Sequence, residues 1–325
     1  MSTWPSVTRE YRNHHLDSTR WRVFEPRADD VVVTTSYKSG TTWMQQILHY
    51  LVFRGDPEAP PALLASPWVD RRFAESEAEL KVALDGMQHR RFVKSHLPLD
   101  GLPYYPQVRY IVVGRDPRDV FMSLWNHYGN YTDAQMKRLN GGEGFTGDPM
   151  PPPPPDHEEA LRGLWRQWTG RGWFPWETEG WPFWSNLGHT QSYWDFRHLE
   201  NILLVHYADL LADPAGEIGR VADFIGEAIT PEELKHAVES TAIDNMRNAY
   251  RAFDEGFKQG FKGGIDAFVY KGTNGRWRGV LGEDDLVLYE QMKARVLSPD
   301  CAAWLVDLKA RPGVEPSNRL TAEGD

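Results

Sequence analysis

Three short stretches carry residue types that can hold a phosphate and move a proton. The first, Ser36-Tyr37-Lys38-Ser39-Gly40-Thr41-Thr42, combines one cation, one glycine and several hydroxyls. The second, Lys94-Ser95-His96, sets an imidazole two residues from an ammonium. The third, Arg115-Asp116-Pro117-Arg118-Asp119, offers guanidinium groups whose planar fork suits a terminal phosphate. Together they describe an anionic ligand held by cations and backbone amides, with a histidine placed to act as general base. Each stretch also has a plainer reading: a hydroxyl helix cap, a structural histidine, or surface Arg–Asp pairs worth little.

Elements must bring these stretches together. Val31-Val32-Val33-Thr34-Thr35 is a β-branched run that suits a buried strand, and Trp43, Ile47, Leu48 and Leu51 return at helical spacing after it. The lysine loop therefore sits where a helix opens its unpaired N–H groups. It is not a Walker A loop, because Lys38 precedes Gly40 and no earlier glycine is present. Arg90 to Leu99 reads as a short strand running into a Pro-terminated turn. Val108 to Val113 reads as another, feeding a helix from Val120 to His127 with Asp116 as cap and Pro117 in the first turn. A further strand spans Asn201 to Tyr207, followed by a helix from Ala215 to Ile225, and helices are also predicted over Ala74 to Met87 and Glu283 to Leu297. Alternating strands and helices predict an α/β fold, a central parallel sheet flanked by helices, with the chemistry beyond the strands' C-terminal ends.

Composition narrows the function. The chain has 325 residues, 41% hydrophobic and 13% aromatic, enough for a large core, and reads as one domain over 1–325 with insertions. Its formal net charge of −10 argues against nucleic-acid binding, so an anionic ligand must be met by a local basic cluster. One cysteine, Cys301, excludes an intramolecular disulfide and fits a reducing compartment. No long apolar run marks a leader or membrane span, which predicts a soluble, cytoplasmic protein. Neither the adjacent His14 and His15 nor the other histidines have metal-ligand spacing, so no metal is expected. Residues 131–195 change character: glycines, the run Pro151 to Pro155, and then Trp165, Trp168, Trp173, Trp176, Trp181, Trp184 and Trp194. So many large aromatics in a Gly/Pro-broken stretch predict an inserted acceptor-binding lid, or failing that a protein interface. The polar end, 312–325, is expected to be a mobile tail.

The order K-S-G-T-T-W, then K-S-H-L-P, then R-D-P-R-D-V-x-x-S resembles the cytosolic-type sulfotransferases, which move a sulfuryl group from 3′-phosphoadenosine 5′-phosphosulfate (PAPS) to a hydroxyl or amine and release 3′-phosphoadenosine 5′-phosphate (PAP). The resemblance implies a P-loop-like fold, a 5′-phosphosulfate loop of Lys38, Ser39, Gly40, Thr41, Thr42 and Trp43, and catalytic roles for Lys38, Lys94 and His96. It also implies a 3′-phosphate contact from Arg115 and Ser123. V-H-Y-A-D-L is similar to the strand whose tyrosine touches the adenine, here Tyr207. Thr241 and Ile243 stand where the family has a Thr and a Phe against the base, and Tyr270-Lys271-Gly272 stands where it has R-K-G, with Arg276 the available substitute for the missing arginine. Tyr37 replaces the proline that usually precedes the loop lysine. S-P-W-V-D, Q-H-R-R-F and G-R-D-P-R-D look most similar to bacterial glycolipid-type members, which points to a small-molecule acceptor that is a glycolipid or a hydroxylated lipid or aromatic. The family's K-x-x-x-T-V-x-x-x-E dimer string is absent, so the resemblance carries no oligomeric state. Two alternatives stay open at this level: a magnesium-dependent nucleotide phosphotransferase, and a non-catalytic nucleotide-binding module.

Overall fold

The computed structural model describes residues 4–306. The β-branched run becomes strand β1 (Val31–Thr35), every residue of it buried. Three further strands, β2 (Phe92–Ser95), β3 (Arg109–Gly114) and β4 (Ile202–His206), join it in the order β2-β1-β3-β4. All pairings are parallel, with Thr34 opposite Ser95 and Val112, and Gly114 opposite His206. Strands hidden on both faces need no polar alternation, which is why β1 reads as a continuous apolar run.

The period of two still sorts the strand residues between two cores. Val31, Val33, Phe92, Ile111 and Val205 pack with Met44, Ile47, Leu48 and Leu51 of helix α1 (Thr41–Phe53). Val32, Val93, Tyr110 and Val112 face Phe121, Leu124, Trp165, Trp168 and Leu187 on the other side. The predicted helix after β3 forms as Pro117–Gly129, its first turn set by Pro117 and capped by Asp116, whose carboxylate accepts from the Arg118 N–H. That after β4 forms as Pro214–Ile225, and the other two as Glu77–Gly86 and Glu283–Val296.

Stretch 131–195 contains three helices not anticipated from its composition, Asp133–Leu139, Glu158–Gly170 and Asn186–Trp194. Leu161, Leu164, Trp165 and Trp168 share one helical face and are buried, and Trp184 and Trp194 are buried as well. The Trp165 indole N–H donates to the Asp285 carbonyl at 3.0 Å, so even its polar edge is satisfied inside the core. Four of these tryptophans, Trp165, Trp168, Trp184 and Trp194, thus supply core volume. The predicted tail at 312–325 lies outside the described residues. Among the described residues no helix is long and apolar enough to cross a membrane.

Candidate active site

Chain direction fixes where the chemistry collects. Because β1, β2, β3 and β4 run parallel, the loops after each of them emerge at the same sheet edge, above one cavity of about 1030 Å³. Lys38, Gly40, Thr41, Thr42 and Trp43 reach it from the loop after β1, and Lys94 and His96 from the end of β2. Arg115 and Ser123 come from β3 and its helix, and Tyr207 from β4. Ile243, Tyr270, Lys271, Gly272 and Arg276 close it from the C-terminal third of the chain. Two predicted residues do not line the cavity. Ser39 is buried with its hydroxyl against that of Ser36 at 2.6 Å, and Thr241 donates to the Ala237 carbonyl at 2.8 Å, finishing the helix Pro231–Ser240.

The lysine loop has a demanding backbone. Gly40 caps α1 at φ 119° and ψ 18°, and a Cβ there would come within 2.8 Å of the Tyr207 ring. Glycine is required on both counts. Lys38 itself holds φ 68°, uncommon for a side-chain-bearing residue. This kink turns the loop so that its lysine and the first amides of α1 face the cavity; no side chain caps those amides, leaving the donors for a ligand.

Electrostatics sharpen this picture. Among the described residues, Lys38, Lys94, Arg115, Arg138, Lys271 and Arg276 line the cavity without an ion-pair partner. Burial, with Arg115 adding, brings the Lys38 amine down to about 7, and burial, with Arg71 adding, brings Lys94 to about 7 as well. Lys38 Nζ donates to His127 Nδ1 at 3.2 Å, and Lys94 Nζ lies 4.2 Å from the Trp68 ring centroid. Arg115 is held by the Lys38, Thr273 and Asn274 oxygens at 3.2, 2.9 and 3.1 Å, its guanidinium 4.2 Å from the Tyr207 ring. Asp119 carries no substrate-facing charge. It accepts from the Gly275 and Arg276 N–H groups at 2.9 and 3.0 Å and so pins the closing loop to the helix Pro117–Gly129.

His96 is buried, and its Nδ1 lies 2.8 Å from the Thr35 carbonyl. A carbonyl only accepts, so the ring proton is on Nδ1 and Nε2 carries the lone pair. Burial first, then Lys94, hold its pKa well below the ordinary value. The residue is a neutral imidazole with a basic nitrogen to offer. Trp43 and Tyr207 stand with ring centroids 5.4 Å apart at 74°, and the Trp43 indole N–H is buried without a partner.

Sequence reasoning missed His127, Tyr131, Phe73, Phe257, Phe261 and Phe268, all of which line the cavity. Only His127 left a signal, lying one helical turn beyond Ser123. Of stretch 131–195, Tyr131, Gln135 and Arg138 line the cavity, whereas none of its tryptophans does.

The sulfotransferase domain family matches residues 28–294. A glycolipid sulfotransferase of Mycobacterium bovis is 31% identical over 318 residues, covering 95% of this chain and 96% of that one. Bovine sulfotransferase 1A1 is 26% identical over 291 residues, 85% of each chain. Among solved structures, retinol dehydratase in complex with androsterone and the inactive cofactor PAP superposes with a TM-score of 0.62 at 21% identity, covering 87% of this chain and 83% of that one. The chain belongs to the sulfotransferase family, as the three loop motifs implied, and the sheet flanked by helices is the fold of that structure.

Proposed function

We propose that the protein transfers the sulfuryl group of PAPS to a hydroxyl of a lipid-like acceptor of the glycolipid type. One observation carries this reading: among the described residues, six cations without carboxylate partners and the open amides of α1 share a cavity with a neutral imidazole whose Nε2 is free to accept a proton. The residues fit a nucleotide bearing two anionic ends. Lys38, the amides of Thr41, Thr42 and Trp43, and the glycine cradle would hold the 5′ end, while Arg115, Ser123, Lys271 and Arg276 would hold the 3′-phosphate. Trp43, Tyr207 and Ile243 would flank the base. The names of the mycobacterial relatives and the PAP in the structural neighbour support the same cofactor and acceptor class.

When bound, PAPS supplies a sulfuryl group whose S–O bond to the 5′-phosphate breaks as an S–O bond to the acceptor oxygen forms, leaving PAP. His96 Nε2 takes the acceptor's hydroxyl proton. Lys38 meets charge on the departing phosphate side, and Lys94 meets it on the sulfuryl oxygens. The apolar remainder of the cavity, with Trp68, Phe73, Phe257 and Phe261, receives the acceptor, and helix Asp133–Leu139 shapes its rim. We also read the chain as one domain and, on its single buried thiol, as cytoplasmic.

Calorimetry with PAP tests the nucleotide half: saturable binding is expected, and no heat at millimolar PAP would end the proposal. His96→Ala tests the base. Sulfation should fall by about 10²- to 10⁴-fold while PAP still binds; turnover at the wild-type rate would remove His96 from that role.

A further inference from the structure

Two buried histidines have no part in this chemistry. His14 and His15 are wholly enclosed and face each other through their Nδ1 atoms. Their outer nitrogens point to different partners: His14 Nε2 lies 2.9 Å from the Pro182 carbonyl, and His15 Nε2 lies 3.2 Å from the Tyr131 hydroxyl. The Tyr131 hydroxyl is in turn 3.4 Å from that of Tyr37, and both tyrosines line the cavity. Burial keeps both imidazoles neutral, His14 at about 3 and His15 well below its ordinary value.

The far end of this chain dictates every proton in it. A carbonyl can only accept, so His14 carries its proton on Nε2 and its lone pair on Nδ1. His15 must then donate from Nδ1, which leaves a lone pair on its Nε2 and makes the Tyr131 hydroxyl the donor there. The Tyr131 oxygen is left to accept from Tyr37. Across the 3.4 Å between the two hydroxyls Tyr37 is therefore the one that donates, which turns the lone pairs of its oxygen towards a ligand. His96 stands beside it, ring centroids 4.9 Å apart, and its Nε2 also presents a lone pair. Two acceptors side by side match two donors. One is the hydroxyl that is sulfated, and the other is a hydroxyl next to it.

We propose that Tyr37 is a specificity residue that selects acceptors carrying a second hydroxyl beside the reacting one, as in a sugar or polyol head group, with Tyr131, His15 and His14 as positioning residues that fix its polarity. This deepens, and rests on, the sulfuryl-transfer reading. The surroundings agree: the Tyr37 ring packs within 6.4 Å of the cavity-lining Trp68, and the same cavity holds Gln135, Arg138 and Glu75 for the remaining hydroxyls of such a head group. A site built to accept a hydrogen bond disfavours a ligand that lacks the donor, because its own polar atom is then left unpaired.

The test uses the full chain, labelled PAPS, and two acceptors with the same alkyl chain, octyl β-glucopyranoside and 1-octanol. The wild type should prefer the glycoside in kcat/KM. Tyr37→Phe should cut that preference roughly tenfold, through KM rather than kcat. Tyr131→Phe should cut it too, because Tyr37 loses the partner that holds its proton inward. PAP calorimetry on the same preparations confirms that each variant is folded. No glycoside preference in the wild type, or an unchanged preference in both variants, would overturn the inference while leaving PAP binding intact. Loss of PAP binding in the wild type would instead bring down the sulfuryl-transfer reading itself.

Discussion

Lys38 and Lys94 are unusual residues for an anion site, since both are held at about 7 in the free protein by their burial. A bound dianion stabilises the ammonium form and raises both values, so binding must draw protons from solution near neutrality. At pH 7.5, PAP titrations in two buffers of different ionisation enthalpy should reveal net proton uptake. At pH 6, where both lysines are already charged, the uptake should give way to release from PAP's own phosphates, whose second ionisation lies near that pH; equal heats in both buffers at pH 7.5 would contradict this. His96 follows the opposite logic. Its depressed pKa keeps it neutral over the same range, so a loss of rate at low pH belongs to another group until well below the ordinary imidazole value. That Lys38, Lys94 and His96 belong to one cavity was legible from sequence because each motif gathers its polar groups within a few consecutive residues. His127 offered only its spacing from Ser123, because its contact with Lys38 spans 89 positions and depends on how the helix Pro117–Gly129 faces the loop.

At the scale of elements, the strand–loop–helix unit rests on one residue without a side chain. Gly40→Ala would have to adopt φ near 119° and push its methyl into Tyr207, so both the loop and the Tyr207 ring, the proposed phosphate cradle and adenine wall, would shift. A loss of PAP affinity of at least tenfold is expected, measured by calorimetry, with the sheet intact by circular dichroism. Trp165 is the contrasting case. It lies in the core against Phe121, ring centroids 4.8 Å apart, and Trp165→Ala should cost about 3–5 kcal/mol of stability in a denaturant titration. A tryptophan at an open lid would cost far less. The spacing of Leu161, Leu164, Trp165 and Trp168 is that of an amphipathic helix and was readable. The surrounding glycines and prolines hid it, since they favour loops locally while tertiary burial decides the outcome.

The whole molecule carries a net charge of −10, yet among the described residues it gathers six cations without carboxylate partners around one cavity. Its far field repels a nucleotide that its near field attracts. Salt screens the two differently, but the direct contacts to a multiply charged ligand dominate, so raising sodium chloride from about 50 to 500 mM should weaken PAP binding several-fold. The KM for an uncharged alkyl glycoside should stay nearly constant or fall. The parallel order β2-β1-β3-β4 explains why separate motifs could be assigned to one site before any coordinates: strands of one direction deliver all their following loops to the same edge. Thr35 then links two of those loops. Its carbonyl closes β1 and secures the His96 ring at 2.8 Å, and the chain beyond it runs directly into Lys38. An anion seated on the loop as proposed would pull, through the three peptide units from Thr35 to Lys38, on the atom that fixes the imidazole's tautomer. The nitrogen-15 resonance of the ring becomes a strain gauge for occupancy, readable by NMR before any sulfur has moved.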